Sequence, residues 1–169
     1  MTGHGWQKRK EKHALLLDEF KNEFGDIFSE ATPKISGINR LFSFPRDDQI
    51  AIADLLRASD VMVNVYSTMM IEACIFDLPV INVAYAQYRD TSLTWSVYDQ
   101  WDHIVPVNQT GGVINAYQPD ELHDYIRRCL SNGDTGRENR RELVNRLVSV
   151  NQGRAGHEIG RHLCELLGT

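Results

Sequence analysis

The sequence predicts an α/β domain in which helices flank a parallel β-sheet. Two segments support this class: "VMVNV" at residues 61–65 and "VINVA" at residues 80–84 are short, apolar and rich in β-branched residues. Such composition is typical of strands buried on both faces in a parallel sheet. The residues between them have helical character through Phe76, and Asp77 and Pro79 end that helix. A strand, a helix and a second strand in so few residues predict a right-handed βαβ unit with parallel strands.

Ahead of this unit the sequence predicts a charged helix. Residues 7–28 place an apolar side chain at every fourth position, which makes one side of the helix apolar, and the helix ends near Gly25. The apolar positions are Leu16, Phe20, Phe24 and Phe28. Pro33 and Gly37 then predict a connection.

A short strand and a second helix follow. "LFSF" at residues 41–44 predicts a strand that Pro45 stops. Asp47 or Asp48 is placed to cap a helix that ends around residues 58–60. The apolar residues of this helix are Ile52, Leu55 and Leu56.

Downstream of the βαβ unit, residues 85–102 are aromatic and polar without a clear period, which indicates a loop with room for one short helix. "HIVPV" at residues 103–107 predicts an edge strand, and "GGVIN" at residues 111–115 predicts another short strand. Pro119 suits the first turn of a helix. The inner face of that helix is predicted to carry Leu122, Tyr125, Ile126, Cys129 and Leu130.

Two more helices complete the chain. Residues 136–149 repeat the helical pattern, with Leu143, Val144, Leu147 and Val148 as the apolar positions. After Gly153 and Gly156, a last helix presents Ile159, Leu163, Leu166 and Leu167.

Composition bounds the function. At 169 residues, with 42% hydrophobic and 24% charged residues, the chain can bury the core of one globular domain. A formal net charge of −5 disfavours nucleic acids and anionic membranes as general partners. Cys74, Cys129 and Cys164 lie among apolar residues, which predicts reduced core cysteines. No apolar run approaches the ~20 residues of a membrane span, and the first residues lack an apolar signal core, so a cytoplasmic protein is expected.

A single carboxylate stands out in the βαβ unit. Glu72 is the only charged residue between Asp60 and Asp77, and it follows Ser67 and Thr68 within one or two helical turns. Burial of this group without a partner would cost several kcal/mol, so we expect it to face a cleft or groups that donate hydrogen bonds. The spacing of four residues places Thr68 and Glu72 on the same side of a helix.

The position of these residues predicts a nucleoside diphosphate ligand. Open α/β sheets bind ligands at the carboxyl ends of their strands, where free N–H groups at the start of the next helix attract phosphate. A phosphate at Ser67 and Thr68 would lie one helical turn from Glu72, whose carboxylate could accept hydrogen bonds from two ribose hydroxyls. The alternative is an ordinary helix cap, although a capping box requires the glutamate three residues after the cap.

Other sites have weaker support in the sequence. There is no GxGxxG, no GxxxxGK[ST] and no nucleophile elbow. His157 and His162 are five residues apart, unlike the histidines of an HExxH zinc site, so no metal is expected. The basic segments "KRKEK" and "RENRRELVNR" are interleaved with glutamate and are predicted to be solvated helix faces. The aromatic residues from Tyr85 to Trp101 are predicted either to pack in the core or at a domain interface, or to stack on a sugar or base.

The segment "DLLRASDVMVNVYSTMMIEACIFDLPVINVAY" resembles the donor-binding core of GT-B glycosyltransferases. That core has a short helix, a buried strand, a Ser/Thr pair, an "EA" and a strand that begins with "PV". "GGVINAYQPDELHDYI" and "GRAGHEIGRHL" resemble the downstream helices of bacterial members near the CDP-glycerol glycerophosphotransferase-like and polysaccharide-synthesis enzymes. The resemblance covers roughly residues 41–167 and is most specific at "STMMIEA".

The resemblance implies roles for individual residues. In such enzymes the Ser/Thr pair contacts the donor pyrophosphate and the glutamate takes the ribose hydroxyls. By the resemblance Ser67 and Thr68 take the first role and Glu72 the second. His103 is expected near the donor sugar, with a surface or packing role as the alternative. The full set of predicted substrate-binding residues is Tyr66, Ser67, Thr68, Met69, Glu72 and His103; no catalytic residue is assigned.

The resemblance also implies a domain organisation. Residues 1–40 are expected to form an N-terminal helix and connection, and residues 41–169 a nucleotide-sugar-binding Rossmann-like domain. The fold would be the C-terminal half of a GT-B architecture, N-terminally truncated, because the half that bears the acceptor site is missing from this sequence. The expected partners are the nucleotide-sugar donor and that acceptor domain. Peripheral membrane association of the full-length enzyme is left open, and no cofactor is needed.

The predicted function is therefore the donor-binding portion of a glycosyltransferase, inactive as an isolated fragment. The group transferred to an unknown acceptor would be a glycosyl or a glycerophosphate-like group. Two alternatives stay open. One is a sugar-nucleotide 2-epimerase-like domain, whose "DSGG" pattern differs from "VYSTMM" here. The other is a non-catalytic module that binds nucleotide or packs against a partner chain.

Overall fold

The computed structural model describes residues 3–27, 45–85, 99–132, 136–148 and 150–168. The chain divides into two compact units, Met1–Gln49 and Ile50–Thr169. The first unit holds helix α1 (Gly3–Phe24) and a 3₁₀ turn (Gly25–Ile27). The predicted N-terminal helix is thus confirmed. Phe28, the connection with Pro33 and Gly37, and the predicted strand at residues 41–44 lie outside the described residues.

The second unit is an α/β domain, as predicted. After α2 (Arg46–Ala58), whose last residues belong to this unit, the elements alternate through three strands and then continue as helices only. They are β1 (Met62–Asn64), α3 (Met69–Ile75), β2 (Val80–Val83), α4 (Val105–Thr110), β3 (Val113–Ala116), α5 (Pro119–Asn132), α6 (Arg137–Val148) and α7 (Ala155–Leu167).

The strands form a parallel sheet in the order β1–β2–β3. Met62 is in register with Val80, and Val80 is in register with Val113. The central strand β2 is buried almost throughout, which confirms the prediction for "VINVA". The prediction that β1 is buried on both faces is wrong for Val63, which is 46% exposed because β1 lies at an edge of the described sheet.

Apolar side chains cover both faces of the sheet, since successive residues of a strand point to opposite faces. The larger cluster joins Val80 and Val113 to α3, α4 and α6, with Met70, Val107 and Leu143 among its fully buried members. The smaller cluster joins Ile81 and Ala116 to α5, where Cys129 is buried. The three-stranded sheet with helices on both faces is a Rossmann-like arrangement.

One predicted strand is a helix. "HIVPV" contributes the start of α4, with Pro106 in the first turn. Proline suits that position because its fixed φ is helical and the first N–H groups of a helix need no internal acceptor. Ile104, Val107 and Thr110 are buried on the same side, at intervals of three. Their helical spacing and burial outweigh the strand preference of isoleucine and valine.

Two predictions of burial are also wrong. Leu130, predicted on the inner face of α5, is 59% exposed. Cys164 is exposed, whereas Cys74 and Cys129 are buried as predicted. The predicted last helix is present as α7, and its apolar residues face solvent: Ile159, Leu163, Leu166 and Leu167 are all more than half exposed. None of the helices in the described ranges combines the length and the hydropathy that a membrane crossing requires.

Asp77 ends helix α3 and also joins this helix to α6. Asp77 has φ 59°, a left-handed conformation, and follows the last turn of α3. Its N–H donates to the Cys74 carbonyl, and the Leu78 N–H donates to the Ala73 carbonyl. Together these bonds form a Schellman cap, in which the left-handed position is usually glycine.

The Asp77 carboxylate binds two arginines of α6. Its Oδ1 accepts hydrogen bonds from Arg140 Nε at 2.9 Å and Nη2 at 2.7 Å, and its Oδ2 lies 2.9 Å from Arg137 Nε. The Arg140 side chain is only 3% exposed. The prediction that "RENRRELVNR" presents a solvated face is therefore wrong for Arg140, which is a buried and paired cation.

Candidate functional site

The turn between β1 and α3 carries the two hydroxyl residues that the sequence singled out. Ser67 and Thr68 lie between the carboxyl end of β1 and the first residue of α3. Ser67 Oγ accepts a hydrogen bond from the Met69 N–H at 3.3 Å. Thr68 is exposed and precedes α3 without a side-chain capping bond to any described residue. The Thr68 hydroxyl is therefore available to solvent or to a ligand.

Glu72 lies one turn further along α3. Its N–H donates to the Thr68 carbonyl at 3.4 Å, which places the two residues on the same side of the helix as predicted. The Glu72 side chain is exposed. The burial cost that led us to expect a cleft around this carboxylate does not arise, because solvent hydrates the charge. The structure thus places Thr68 and Glu72 on one exposed side of α3, and the half-buried Ser67 beside Thr68 at the carboxyl end of β1.

The other predicted binding residues have different surroundings. Met69 is half-buried and packs against the larger apolar cluster. His103 is exposed just before α4, and its ring centroid lies 5.4 Å from that of Trp101. Tyr66 is half-buried, and both its N–H and its hydroxyl donate hydrogen bonds to other residues of the domain. Any contact of these three with a ligand stays a prediction.

A row of asparagines, which was not predicted from the sequence, crosses the sheet. The strand register places Asn64 beside Asn82 and Asn82 beside Asn115. Asn82 is 1% exposed, and its Nδ2 donates to Asn115 Oδ1 at 3.0 Å. Asn82 Oδ1 accepts from the Tyr66 N–H at 2.7 Å. The available signal was an asparagine after two or three apolar residues in each strand: "VMVN", "VIN" and again "VIN".

Asp99 is the centre of a second polar group at this edge of the sheet. Its Oδ1 accepts hydrogen bonds from the Tyr66 hydroxyl at 2.7 Å, Asn108 Nδ2 at 3.0 Å and Asn115 Nδ2 at 3.4 Å. Its Oδ2 accepts from the Tyr117 hydroxyl at 2.9 Å. These bonds spread the charge of Asp99 over neutral donors. We call Asp99, Tyr66, Asn108, Asn115 and Tyr117 the Asp99 cluster.

The two phenols of this cluster hold their protons more tightly than free tyrosine. Burial, reinforced by the hydrogen bond to Asp99, raises the pKa of Tyr66 well above its ordinary value. The pKa of Tyr117 is raised by the same causes in the same order. Ionisation of either phenol would place two negative charges in contact, so the cluster requires both phenols to be protonated.

We expect the stabilising contribution of the Asp99 cluster to be lost in alkaline solution. A raised folded-state pKa means that the phenol stabilises the fold fully below the pKa of the unfolded chain, ~10, and loses this contribution as pH rises through the folded pKa. The free energy of unfolding should therefore fall above about pH 10. The double variant Tyr66→Phe/Tyr117→Phe should show a shallower fall, measured by urea unfolding at several pH values.

Ionisation of Cys74 does not affect the comparison between the wild type and the double variant. Burial also raises the pKa of the Cys74 thiol, to about 11, and this group contributes the same alkaline slope to both proteins. The difference between the two slopes therefore reports the phenols alone. Identical slopes for the wild type and the double variant would contradict the expectation.

The described residues offer no ready metal site. Within the described ranges, no group of three or more histidine, cysteine, aspartate or glutamate side chains is arranged to hold a metal ion. The polar groups described at the carboxyl edge of the sheet are hydroxyls, amides and the carboxylates of Glu72 and Asp99.

Comparison with known proteins decides the family. The family model for CDP-glycerol:poly(glycerophosphate) glycerophosphotransferase matches residues 39–165. The chain belongs to this glycerophosphotransferase family. The match agrees with the resemblance found in the sequence, and it supports a transferase function for the glycerophosphotransferase domain. Neither the curated proteins nor the solved structures gave a significant match.

The matched residues contain nearly all of the α/β unit and end within α7. They include the three strands, the Ser67–Thr68 turn, Glu72 and the Asp99 cluster. The candidate site thus lies inside the part of the chain that defines the glycerophosphotransferase family.

Proposed function

We propose that this glycerophosphotransferase-family domain binds a nucleoside diphosphate donor at the Ser67–Thr68 turn, and that the donor is CDP-glycerol. The observation that carries the proposal is the placement of two hydroxyl residues at the carboxyl end of β1 with an exposed carboxylate one helical turn away. The family's description supplies the identity of the donor. Open α/β sheets bind ligands at this edge.

Each residue has a distinct role in this proposal. The hydroxyls of Ser67 and Thr68, with nearby backbone N–H groups, donate hydrogen bonds to the diphosphate. Glu72 accepts hydrogen bonds from the 2′ and 3′ hydroxyls of the ribose. The exposure of Thr68 and Glu72 supports these roles, because neither group needs to leave an internal partner before it binds.

The same groups would assist the transfer. When an acceptor hydroxyl attacks the phosphorus that bears glycerol, the bond to the bridging oxygen breaks and cytidine monophosphate leaves with that bond's electron pair. The proton of the attacking hydroxyl is released to solvent. Negative charge therefore grows on phosphate oxygens held at the turn, and donors fixed there stabilise it. For a glycosyl donor the leaving group would be the whole nucleoside diphosphate, and the stabilised charge would be in the same place.

We further propose a GT-B arrangement for the complete transferase. A second Rossmann-like half would bind the acceptor, and the domain described here would bind the donor without completing the transfer alone. Transfer activity that appears only when this domain is combined with an acceptor-binding half would support the arrangement.

Isothermal titration calorimetry tests the donor site directly. The chain should bind CDP-glycerol and CDP, and it should bind them more tightly than UDP or GDP. Absence of measurable heat with all of these nucleotides and their sugar conjugates would refute a donor site in this chain. Binding of UDP-sugars in preference to CDP-glycerol would support a donor site in this chain but would show that CDP-glycerol is not the donor.

Glu72→Ala tests the ribose assignment. Loss of hydrogen bonds to a charged group should weaken CDP binding by about tenfold. The affinity for 2′,3′-dideoxy-CDP should not change, because that ligand lacks both hydroxyls. Glu142→Ala, which alters an exposed glutamate on α6, is the matched control. If Glu72→Ala weakens both ligands equally, Glu72 does not contact the ribose.

A further inference from the structure

Tyr66 has an unusual backbone conformation immediately before the Ser67–Thr68 turn. Its φ is 39°, in the left-handed region that residues with a bulky side chain rarely occupy. Such a conformation is strained and persists only where the surroundings hold it.

Two contacts of Tyr66 supply that support. Its N–H donates to Asn82 Oδ1 at 2.7 Å, and its hydroxyl donates to Asp99 Oδ1 at 2.7 Å. The first contact attaches the backbone of Tyr66 to the central strand, and the second attaches the far end of the side chain. Tyr66 is therefore held at both ends.

The two acceptors are themselves fixed. Asn82 is fully buried and donates to Asn115 on β3. Asn115 in turn donates to Asp99 and to Asn108 Oδ1 at 3.1 Å. The contacts that hold Tyr66 thus belong to one connected network that joins β2, β3, Asp99 and Asn108 of α4.

The conformation of Tyr66 sets the direction in which the next residues leave β1. The Ser67 carbonyl accepts a hydrogen bond from the Met70 N–H at 3.1 Å, and it lies 3.5 Å from Asn64 Nδ2. Rotation about φ of Tyr66 would move this carbonyl and the hydroxyls of Ser67 and Thr68 together.

We propose that Tyr66, Asn82 and Asp99 are positioning residues, which hold the Ser67–Thr68 turn in the shape that binds the donor diphosphate. This inference rests on the proposed function and deepens it. Tyr66 acts through the turn by its backbone conformation, since its hydroxyl is used by Asp99. Asn82 and Asp99 act one step further away, through Tyr66.

The test compares two variants that each remove one phenol hydroxyl from Asp99. Tyr66→Phe breaks the bond that reaches the turn, whereas Tyr117→Phe breaks the bond at 2.9 Å on the opposite carboxylate oxygen. Both variants should lose similar, small amounts of stability in urea unfolding. Tyr66→Phe should weaken CDP binding by about fivefold, and Tyr117→Phe should leave it unchanged.

Three outcomes would overturn the inference, and they are distinguishable. Equal losses of CDP affinity in the two variants would mean that the network acts only through general stability. Unchanged affinity in Tyr66→Phe would mean that the hydroxyl does not position the turn. Absence of CDP binding by the wild-type chain would refute the proposed function, and the positioning role with it.

Discussion

Replacing Asp77 with alanine is expected to lower the free energy of unfolding by about 3 kcal/mol. Arg140 has a side chain that is 3% exposed, and Asp77 is the carboxylate that neutralises it. The Asp77 side chain is 39% exposed, so the expected loss lies at the lower end of the ~3–5 kcal/mol that removal of one member of a buried pair costs. Alanine also tolerates the φ of 59° less well than aspartate. Urea unfolding at neutral pH measures the loss.

Two further variants separate these causes. Asp77→Gly removes the carboxylate while favouring the left-handed conformation. The decrease in the free energy of unfolding of this variant therefore reports the ion pair without the backbone strain. Asp54→Ala is the matched control, because Asp54 lies 3.3 Å from Arg57 in a pair with both side chains more than 60% exposed. Exposed pairs contribute ~0–1 kcal/mol. A loss for Asp77→Ala no larger than that for Asp54→Ala would show that the pair with Arg140 is not important for stability.

The double variant Ser67→Ala/Thr68→Ala is expected to weaken CDP binding by about 100-fold. Each hydroxyl is proposed to donate to a charged phosphate oxygen, and loss of such a bond typically costs about tenfold in affinity. The affinity for cytidine should not change, since cytidine has no phosphate. Calorimetry for CDP and NMR titration for the weaker ligand cytidine provide the two affinities.

Ser131→Ala is a suitable control for this pair. Ser131 lies on α5, where its hydroxyl donates to the Arg127 carbonyl at 2.7 Å and is exposed. It should leave both affinities unchanged. Equal losses of affinity for CDP and for cytidine in the double variant would indicate a disturbed fold at the turn. Full retention of CDP affinity would show that the two hydroxyls do not contact the ligand.

The predictable part of this fold is the part encoded by neighbouring residues. The βαβ unit follows from two apolar strands around a short helix, and the relation between Thr68 and Glu72 follows from helical spacing alone. Because both are local, they could be predicted. The strand assigned to "HIVPV" failed because isoleucine and valine favour strands in isolation, while the burial of Ile104 and Val107 against the sheet favours a helix.

Contacts between distant residues could not be predicted. Arg140 pairs with a residue 63 positions away, so no local pattern distinguishes it from the exposed arginines around it. The alignment of Asn64, Asn82 and Asn115 depends on strand register, which the sequence of a parallel sheet does not reveal by itself. The exposure of Glu72 was missed for a related reason: an apolar sequence around a carboxylate does not show which helix face meets solvent.

The hydrogen bonds that link Tyr66 to Asp99 through Asn82 and Asn115 all have the same donor-to-acceptor direction. The Tyr66 N–H donates to the Asn82 oxygen, the Asn82 amide donates to the Asn115 oxygen, and the Asn115 amide donates to Asp99. An ionised carboxylate can only accept, so the last residue dictates the orientation of every amide before it. A single anion in one loop thereby decides which way two side chains on two different strands are turned, and a reversed arrangement would leave a peptide N–H facing another donor.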